Sequence, residues 1–405
     1  MALISNKTVQ QRLTHYLEQL AIGYIQVTGL DETNSTSAFG DENSELKAHI
    51  TLHNEALFSS ILKEGTLGAA ESYLQGHWEV DDLTALFRIL IQNQQALERV
   101  NNPASARFKK MGRLFWYLYQ RKNSLSGSRR NIADHYDLSN ELFTLFLDQR
   151  MMYSSAIYQH PNQTLELAQE QKLHRICQQL QLCEDDHVLE IGTGWGGFAI
   201  FAAKYYGCRV TTTTISQAQF DLAKARVEAE NLGDKITLLF DDYRELTGQF
   251  DKLVSIEMIE AVGHQYLDTY FKVCHERLKP GGQALIQAIT IEDTRYEKAL
   301  KEVDFIKHYI FPGSFIPCNQ LLIQTAANNG LKLHDLHDIG QSYAMTLNAW
   351  HQRFLDNIDA VRELGFDQRF ERMWSFYLCY CEAGFIEERI SDVQLHFKNT
   401  MNIAP

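Results

Sequence analysis

The sequence predicts an α/β protein whose larger part is a mainly parallel sheet with helices on both faces. Two observations predict this class. From residue 165 onward, short β-rich runs alternate with helical patterns, and a glycine-rich loop follows the first of those runs. A smaller, mainly helical domain is predicted over residues 1–125, followed by the sheet domain over 126–405. Ligands of such sheets bind beyond the carboxyl ends of the strands, so we expect the functional site there.

The predicted N-terminal domain has mostly helical patterns over residues 1 to about 100. A polar, glycine-containing stretch, LDETNSTSAFGDENSE at 30–45, interrupts them and predicts a loop or hairpin. The stretch NSLSGSRRN at 123–131 has the serine and glycine content of a linker and gives the domain boundary. A chain of 405 residues, 45% of them hydrophobic, is long enough for two cores.

The sheet domain contains seven strand candidates. They are HVLEI (187–191), RVTTTT (209–214), KITLLF (235–240), KLVSI (252–256), QALIQAITI (283–291), LKLHDLHDI (331–339) and ISDVQLHF (390–397). Helices are predicted over 164–182, before the first strand, and over 216–231, between the second and third strands. Helical, aromatic-rich insertions are predicted at about 292–330 and 341–384, around the sixth strand.

Composition limits the function classes. The formal net charge of −13 argues against broad nucleic-acid binding. The seven scattered cysteines include no C-x-x-C pair, which predicts reduced thiols and no zinc site. No segment approaches the roughly 18 continuous apolar residues of a membrane span, and we expect a cytoplasmic protein.

One basic stretch stands out in this acidic chain. There is no acid between Glu98 and Asp134, and basic residues surround the aromatic run LFWYLY at 114–119. These residues are Arg107, Lys109, Lys110, Arg113, Arg121, Lys122, Arg129 and Arg130. One interpretation is a helix packed through its aromatic residues, with a solvated basic flank. The other is a peripheral membrane surface that meets anionic lipid head groups, where each basic residue contributes about 1 kcal/mol.

The glycine-rich loop VLEIGTGWGGFAI, at 188–200, satisfies two nucleotide-binding patterns. Gly192, Gly194 and Gly197 match the dinucleotide pattern G-x-G-x-x-G, whereas Gly192, Gly194 and Gly196 match the G-x-G-x-G loop of methyl-donor enzymes. The glycines alone therefore leave the cofactor open.

Two further features favour S-adenosylmethionine. The second predicted strand ends at 211–214 without the acid that a dinucleotide ribose requires, and the next acid, Asp221, falls inside a helix. Glu190, at the tip of the first strand, would repel a pyrophosphate but attract the ammonium of a methionine moiety. The alternative is that Glu190 is a salt-bridge partner and that the glycines only form a tight turn.

Further donor-binding candidates share the same rim of the sheet. Trp195 lies within the loop, and the polar candidates at the ends of the second and third strands are Thr214, Ser216, Gln219, Asp242 and Tyr243. We expect this rim to contact the ribose and adenine, although each residue alone is also compatible with a helix cap or a surface position.

Motifs along nearly the whole chain are more specific than the loop. They are AESYLQGHWEVDDL (70–83), HYDLSNELFTLFLD (135–148), MMYSSAIY (151–158), EIGTGWGG (190–197), TTTISQAQ (212–219), EMIEAVGH (257–264), YIFPG (309–313) and FYLCYCEAGF (376–385). Through these motifs the chain resembles the cyclopropane-fatty-acyl-phospholipid synthase family, which includes the mycolic acid cyclopropane synthases. The resemblance is closest to its plant-type branch.

The resemblance implies a Rossmann-like class I methyltransferase sheet and a reaction on cis double bonds of unsaturated phospholipid acyl chains. The alkene attacks the sulfonium methyl of S-adenosylmethionine, a carbocation forms, and loss of a proton from the added methyl closes a cyclopropane ring. Two alternatives stay open: C-methylation of the chain without ring closure, and a non-catalytic lipid-binding protein. The resemblance also implies a homodimer that acts at a membrane.

The resemblance further implies site residues. A bound bicarbonate is expected as the base, in a pocket formed by Ser155, Glu260, Gln287, Ile289 and Tyr343. Glu260 would orient the hydroxyl of the anion, and Tyr343 would donate to its charged oxygen. Ser155 stands where a cysteine is usual and Gln287 where a histidine is usual, so ring closure and methyl branching both remain possible products. Cys381 matches a further active-site position, and the residues near the methionine end of the donor are Tyr153 and Ser154.

Overall fold

A computed structural model describes residues 6–30, 35–94 and 139–400. The N-terminal part contains α1 (Asn6–Leu17), β1 (Tyr24–Thr28), β2 (Thr36–Gly40), β3 (Lys47–Leu52), α2 (Ala56–Glu64), α3 (Thr66–Leu74), β4 (Trp78–Val80) and α4 (Leu83–Gln92). The predicted domain boundary at 123–131 and the basic stretch around 114–119 lie outside the described residues.

The N-terminal strands form a four-stranded sheet in the order β2-β1-β3-β4. β1 and β2 pair antiparallel, so the polar stretch at 30–45 contains one arm of a hairpin, as predicted. The prediction of a mainly helical domain omitted the rest of this sheet. The strands have only three to six residues each, and β2 exposes every second side chain, so they carry little of the apolar periodicity that identifies a strand.

The second part alternates helices and strands around a larger sheet. Its elements are α5 (Asn140–Thr144), α6 (Leu165–Gln179), β5 (His187–Ile191), α7 (Gly197–Tyr206), β6 (Arg209–Thr213), α8 (Gln217–Ala229), β7 (Ile236–Leu239), β8 (Phe250–Ile256), α9 (Leu267–Arg277), β9 (Leu278–Ile291), α10 (Tyr296–Leu300), α11 (Asn319–Asn328), β10 (Leu331–Asp338), α12 (Gly340–Asp356), α13 (Ile358–Glu363), α14 (Gln368–Ile386) and β11 (Ile390–Asn399). Helices occupy much of both predicted insertions, and all seven predicted strands are present.

The larger sheet has the order β10-β11-β9-β8-β5-β6-β7. Strands β9, β8, β5, β6 and β7 pair parallel, whereas β11 pairs antiparallel with both β9 and β10. The chain proceeds outward from β5 through β6 to β7 and then crosses to β8 on the other side of β5. The crevice at the carboxyl ends of β5 and β8 is therefore the topological switch point, where ligands of such sheets bind.

The N-terminal part and the late helices share one apolar core. Phe87 of α4 packs edge-on against Phe376 of α14, with ring centroids 4.9 Å apart. At the edge of this contact, Thr84 donates to Glu382 at 2.8 Å, and Arg88 pairs with Glu387 at 2.7 Å. None of the helices in the described ranges is both long and apolar enough to cross a membrane.

Helix α7 begins in very close contact with the segment before α6, and this contact predicts a stability effect. A Cβ added to Gly197 would lie 2.4 Å from Met152 Sδ and 2.7 Å from the Arg150 carbonyl oxygen, whereas the same change at Gly233 meets open space. We expect Gly197→Ala to lower the free energy of unfolding by about 1–3 kcal/mol through overpacking. Gly233→Ala should stay within about 0.5 kcal/mol of the wild type. Urea denaturation measures both, and equal stability of the two variants would contradict the packing argument.

Candidate active site

The glycine loop lies at the carboxyl end of β5, against the end of β6. The backbone amides of Gly192 and Thr193 donate to the Thr213 carbonyl at 3.1 and 3.0 Å. Gly192, Gly194 and Gly196 all have positive φ angles, and Gly196 is the left-handed residue just before α7. The residues that need glycine for their conformation are therefore those of G-x-G-x-G, whereas Gly197 needs it for packing.

Glu190 is a buried residue near the carboxyl end of β5, one residue before the end of the strand. Its Oε2 accepts a 2.6 Å hydrogen bond from Thr212 Oγ1, which lies 2.7 Å from Thr193 Oγ1. Burial raises the pKa of Glu190 to about 8, and the Thr212 hydrogen bond opposes that shift. Within the described residues Glu190 forms no ion pair, which weighs against the salt-bridge alternative. The charged form of such a group needs a cation, and a ligand ammonium meets that need.

Thr214, Ser216 and Gln219 come together at the start of α8, and all three are buried. Ser216 caps the helix by accepting from the Gln219 amide at 3.3 Å, and the Ser216 amide donates to Thr214 Oγ1 at 3.2 Å. Thr214 Oγ1 donates in turn to Gln219 Oε1 at 2.9 Å. The group therefore has a capping role of its own, and contact with the donor remains a prediction.

Asp242 and Tyr243 follow β7 and have partners within the protein. The Asp242 carboxylate is buried and accepts from Nε and Nη2 of Arg244, both at 2.7 Å. The Tyr243 ring lies 5.6 Å from that of Tyr270, in the core beneath the sheet. Burial raises the pKa of Tyr243 well above its ordinary value. Trp195 is also buried, and its indole donates to Asn140 Oδ1 at 2.7 Å, which joins the loop to α5.

The centre of the predicted anion pocket is Glu257, a residue that the sequence reasoning did not select. Its Oε1 accepts from the Ser155 amide at 2.7 Å and from Gln287 Nε2 at 2.8 Å. Its Oε2 accepts from the Tyr343 hydroxyl at 2.7 Å. Three of the five predicted pocket residues thus converge on one carboxylate of the chain itself.

Gln287 connects this carboxylate to β11. Besides Glu257, its Nε2 contacts Asp392 Oδ2 at 2.9 Å, and its Oε1 accepts from Gln394 at 3.0 Å. Asp392 is fully buried, and burial together with the charge of Glu257 raises its pKa well above the ordinary value. The hydroxyl of Ser155 donates to the neighbouring Ala156 carbonyl at 2.9 Å, so only the backbone amide of Ser155 contacts Glu257.

Glu260 and Ile289 form a second contact beside this pocket. The Ile289 amide donates to Glu260 Oε1 at 2.6 Å, and Glu260 Oε2 is buried without a hydrogen-bond partner in the described ranges. Burial, followed by the charge of Glu257, raises the pKa of Glu260 to about 8. Glu260 is therefore mostly protonated at neutral pH.

Lys172 of α6 is a second functional candidate that the sequence reasoning missed. Its side chain is fully buried, and Nζ donates to Ser154 Oγ at 2.7 Å. Burial lowers the pKa of Lys172 to about 8, although the charges of Glu257, Asp148 and Asp392 oppose that shift. A basic group is thus held among the buried acids of the pocket.

An aromatic cluster adjoins the pocket. Tyr153, two residues before Ser155, belongs to this cluster. Its hydroxyl is 3.0 Å from that of Tyr377, and its ring is 5.2 Å from the ring of Trp350. Within the described residues, the rings of Phe143, Phe146 and Phe311 also lie within 6.4 Å of the Tyr153 ring. Cys381, on α14, belongs to a different environment, where burial and the charge of Asp304 raise the pKa of its thiol far above the ordinary value.

The pocket also tests the bicarbonate that the family resemblance implies. That anion would need the Tyr343 hydroxyl and the Gln287 amide as donors, and both already donate to Glu257. A bicarbonate at this position would also face the Glu257 carboxylate at close range, where like charges repel strongly in a buried site. The residues as arranged do not fit that anion.

A sequence signal for Glu257 was available. It begins the motif EMIEAVGH, directly after the buried strand β8, and acids at the carboxyl ends of such strands are ligand-site candidates. Lys172 carried no comparable signal, because a lysine in an amphipathic helix is usually exposed.

Comparisons with known proteins agree with this architecture. The family model described as "Mycolic acid cyclopropane synthetase" matches residues 123–395. The chain is 36% identical over 397 residues to the tuberculostearic acid methyltransferase UfaA1 of Mycobacterium tuberculosis, covering 95% of this chain and 88% of the relative. It is also 36% identical over 358 residues to the cyclopropane-fatty-acyl-phospholipid synthase of Escherichia coli, covering 87% of each.

A solved structure gives the same result for the fold. The mycolic acid cyclopropane synthase CmaA1, complexed with SAH and CTAB, superposes with a TM-score of 0.63 at 27% identity. The match covers 67% of this chain and 98% of that one.

The buried carboxyl of Glu190 predicts a pH effect on stability. In the folded protein it holds its proton up to about pH 8, against an ordinary pKa of 4.5, so its contribution to stability is complete below pH 4.5 and is lost as the pH rises to 8. Relative to Glu190→Gln, the wild type should therefore lose unfolding free energy across this range. Urea denaturation without added ligand measures the difference, with the exposed Glu228→Gln as control. Parallel pH curves for wild type and Glu190→Gln would contradict the burial argument.

Proposed function

The chain belongs to the mycolic acid cyclopropane synthetase family and is an S-adenosylmethionine-dependent methyltransferase, and from this premise we propose that it acts on cis double bonds in phospholipid acyl chains. The product that we propose is a cyclopropane ring. The observation that carries the proposal is a carboxylate with three fixed donors, whose neighbour Met258 packs against the glycine loop and whose donor Tyr343 contacts Trp350 of an aromatic cluster.

The glycine loop and Glu190 bind the donor in this proposal. The loop gives close backbone approach at the switch point, and the Glu190 carboxylate pairs with the ammonium of the methionine moiety. Binding of that cation lowers the cost of ionising a carboxyl group whose pKa burial raises to about 8. S-Adenosylmethionine supplies the electrophilic methyl group.

The aromatic cluster suits the other half of the reaction. Attack of an alkene on the methyl leaves a positive charge on the acyl chain, which is surrounded by hydrocarbon and cannot be solvated. Ring faces such as those of Tyr153 and Trp350 stabilise a desolvated cation by about 2 kcal/mol each. The Tyr153 to Tyr377 contact fixes the orientation of one of these rings.

A second candidate function is C-methylation of the acyl chain without ring closure. It is favoured by the 36% identity, over 95% of this chain, to a relative described as a tuberculostearic acid methyltransferase. Both reactions share the carbocation, and they differ in the carbon that gives up the proton.

Lipid analysis tests the proposal directly. Expression in a host without its own cyclopropane lipids should produce phospholipids that have gained one CH2 group and lost one alkene, measured by mass spectrometry after ozonolysis. The empty vector is the control. A gain of CH2 with the alkene retained would establish C-methylation instead, and unchanged lipids would leave only a non-catalytic lipid-binding role.

Membrane association is the second part of the proposal. The acid-free stretch between Glu98 and Asp134 supports docking of a cytoplasmic enzyme on anionic lipid, and the family resemblance supports a dimer. Changing Arg107, Lys109, Lys110 and Arg113 together to Gln should weaken binding to phosphatidylglycerol vesicles at least about 10-fold, since each contributes roughly 1 kcal/mol.

Vesicle cosedimentation at low salt measures this binding. The control is a variant in which four exposed lysines elsewhere, Lys63, Lys204, Lys272 and Lys301, are changed to Gln, so that the net charge is matched. Equal weakening in both variants would indicate a general charge effect and would refute a specific docking role for the stretch.

A further inference from the structure

Glu257 has a strained backbone at a position that points to function. Its φ is +48°, in the left-handed region that residues with a Cβ seldom adopt. The conformation is held because its amide donates to the Gln287 carbonyl of β9 at 2.9 Å. Strain of this kind persists where the surrounding structure enforces it, and it concentrates at active sites.

The position of Glu257 in the sheet brings it level with the glycine loop. Val254 of β8 pairs with Glu190 of β5. Glu257 follows Val254 by three residues, and Thr193 of the glycine loop follows Glu190 by three residues. The next residue, Met258, packs against the loop, because a Cβ on Gly192 would lie 3.2 Å from Met258 Cβ. Glu257 therefore lies beside the glycine loop at the switch point, where ligands of such sheets bind.

The hydrogen bonds of Glu257 orient its carboxylate in the pocket. An ionised carboxylate has about four lone-pair positions. Two on Oε1 are used by the Ser155 amide and Gln287, and one on Oε2 is used by Tyr343. Asp392 forms a further side-chain hydrogen bond to Glu257, so four groups fix the position of this carboxylate.

The acids next to Glu257 are harder to ionise than free carboxyl groups. Burial raises the pKa of Glu260 to about 8, and burial together with the charge of Glu257 raises the pKa of Asp392 well above its ordinary value. Lys172 is a nearby basic group: its Nζ donates to Ser154 Oγ, and the charges of Glu257 and Asp392 both act on it.

We infer that the Glu257 carboxylate is the catalytic base of this enzyme and replaces the bicarbonate that the family resemblance implies. This inference rests on the proposed function. The alkene pair forms a bond to the methyl carbon as the sulfur–methyl bond breaks, and the leaving pair stays on the sulfur of S-adenosylhomocysteine. Oε2 of Glu257 then takes a proton from the added methyl, and the released C–H pair closes the three-membered ring. The proton passes from Glu257 to water after the product leaves.

The inference also accounts for the residue at position 287. With a carboxylate fixed in the pocket, this position needs a donor that reaches Glu257 and Asp392 at once. Nε2 of Gln287 has two hydrogens and lies 2.8 Å from Glu257 Oε1 and 2.9 Å from Asp392 Oδ2. The side-chain hydroxyl of Ser155 is not needed, because the backbone amide makes the contact.

The first test is Glu257→Gln in the purified full-length enzyme with unsaturated phospholipid vesicles. Turnover should fall about 100-fold or more, the usual loss when a general base is removed, while S-adenosylmethionine binding by calorimetry stays within about threefold. Glu388→Gln is the matched control, because Glu388 also has a left-handed backbone, with φ of +52°, and it should keep wild-type turnover. Wild-type turnover should be the same in carbon dioxide-depleted buffer and with added bicarbonate.

The second test is chemical rescue, which separates a catalytic role from a structural one. Glu257→Ala frees the Ser155 amide, Gln287 and Tyr343 for an external anion. Added bicarbonate or formate should therefore raise the turnover of this variant at least about tenfold over its turnover without the anion. Absence of product from the wild type would overturn the proposed function together with this inference. Product formation that survives Glu257→Gln, or that requires bicarbonate in the wild type, would overturn the inference alone.

Discussion

The arrangement of the site depends on one carboxylate and its three donors. Glu257 receives hydrogen bonds from the segment before α6, from β9 and from α12, through Ser155, Gln287 and Tyr343. These elements are far apart in the chain, and the carboxylate is their shared contact. Loss of its charge would leave buried donors without a strong acceptor, at about 1–3 kcal/mol for each unsatisfied group. The same hydrogen bonds hold Glu257 in its strained backbone conformation. A change that breaks them would therefore alter both the geometry of the site and the local fold.

The surroundings of this carboxylate are costly for stability. Glu190, Glu260 and Asp392 are acids whose pKa values burial raises, and Lys172 is a lysine whose pKa burial lowers. A fold selected only for stability would replace such groups with apolar residues of similar volume. Their concentration at the carboxyl ends of β5, β8 and β9, beside an aromatic cluster, is the pattern expected of a reaction centre.

Sequence reasoning succeeded where the physical signal is periodic and failed where it depends on side-chain direction. The seven strands of the larger sheet were predictable because each is a β-rich or alternating run bounded by helical patterns or turns, whereas the short, half-exposed β1 and β2 gave weak periodicity. The predicted pocket residue Glu260 lies in the same motif as Glu257, which the sequence reasoning did not select. The left-handed turn at Glu257 directs its carboxylate to Ser155 and Tyr343, and no spacing rule reveals a positive φ at a glutamate.

A base that is part of the chain changes what decides the product. A free anion takes its position from whatever donors surround it, so replacement of a histidine by Gln287 would be expected to shift it and favour methyl branching. The reach of Glu257 is instead set by its own backbone, and the Gln287 carbonyl and the Tyr343 hydroxyl hold that backbone and carboxylate in place. If Glu257 is the base, ring closure or branching depends on which C–H bond of the cation lies against its carboxylate. That choice belongs to the residues that orient the acyl chain, the rings around Tyr153 and Trp350, rather than to Ser155 or Gln287.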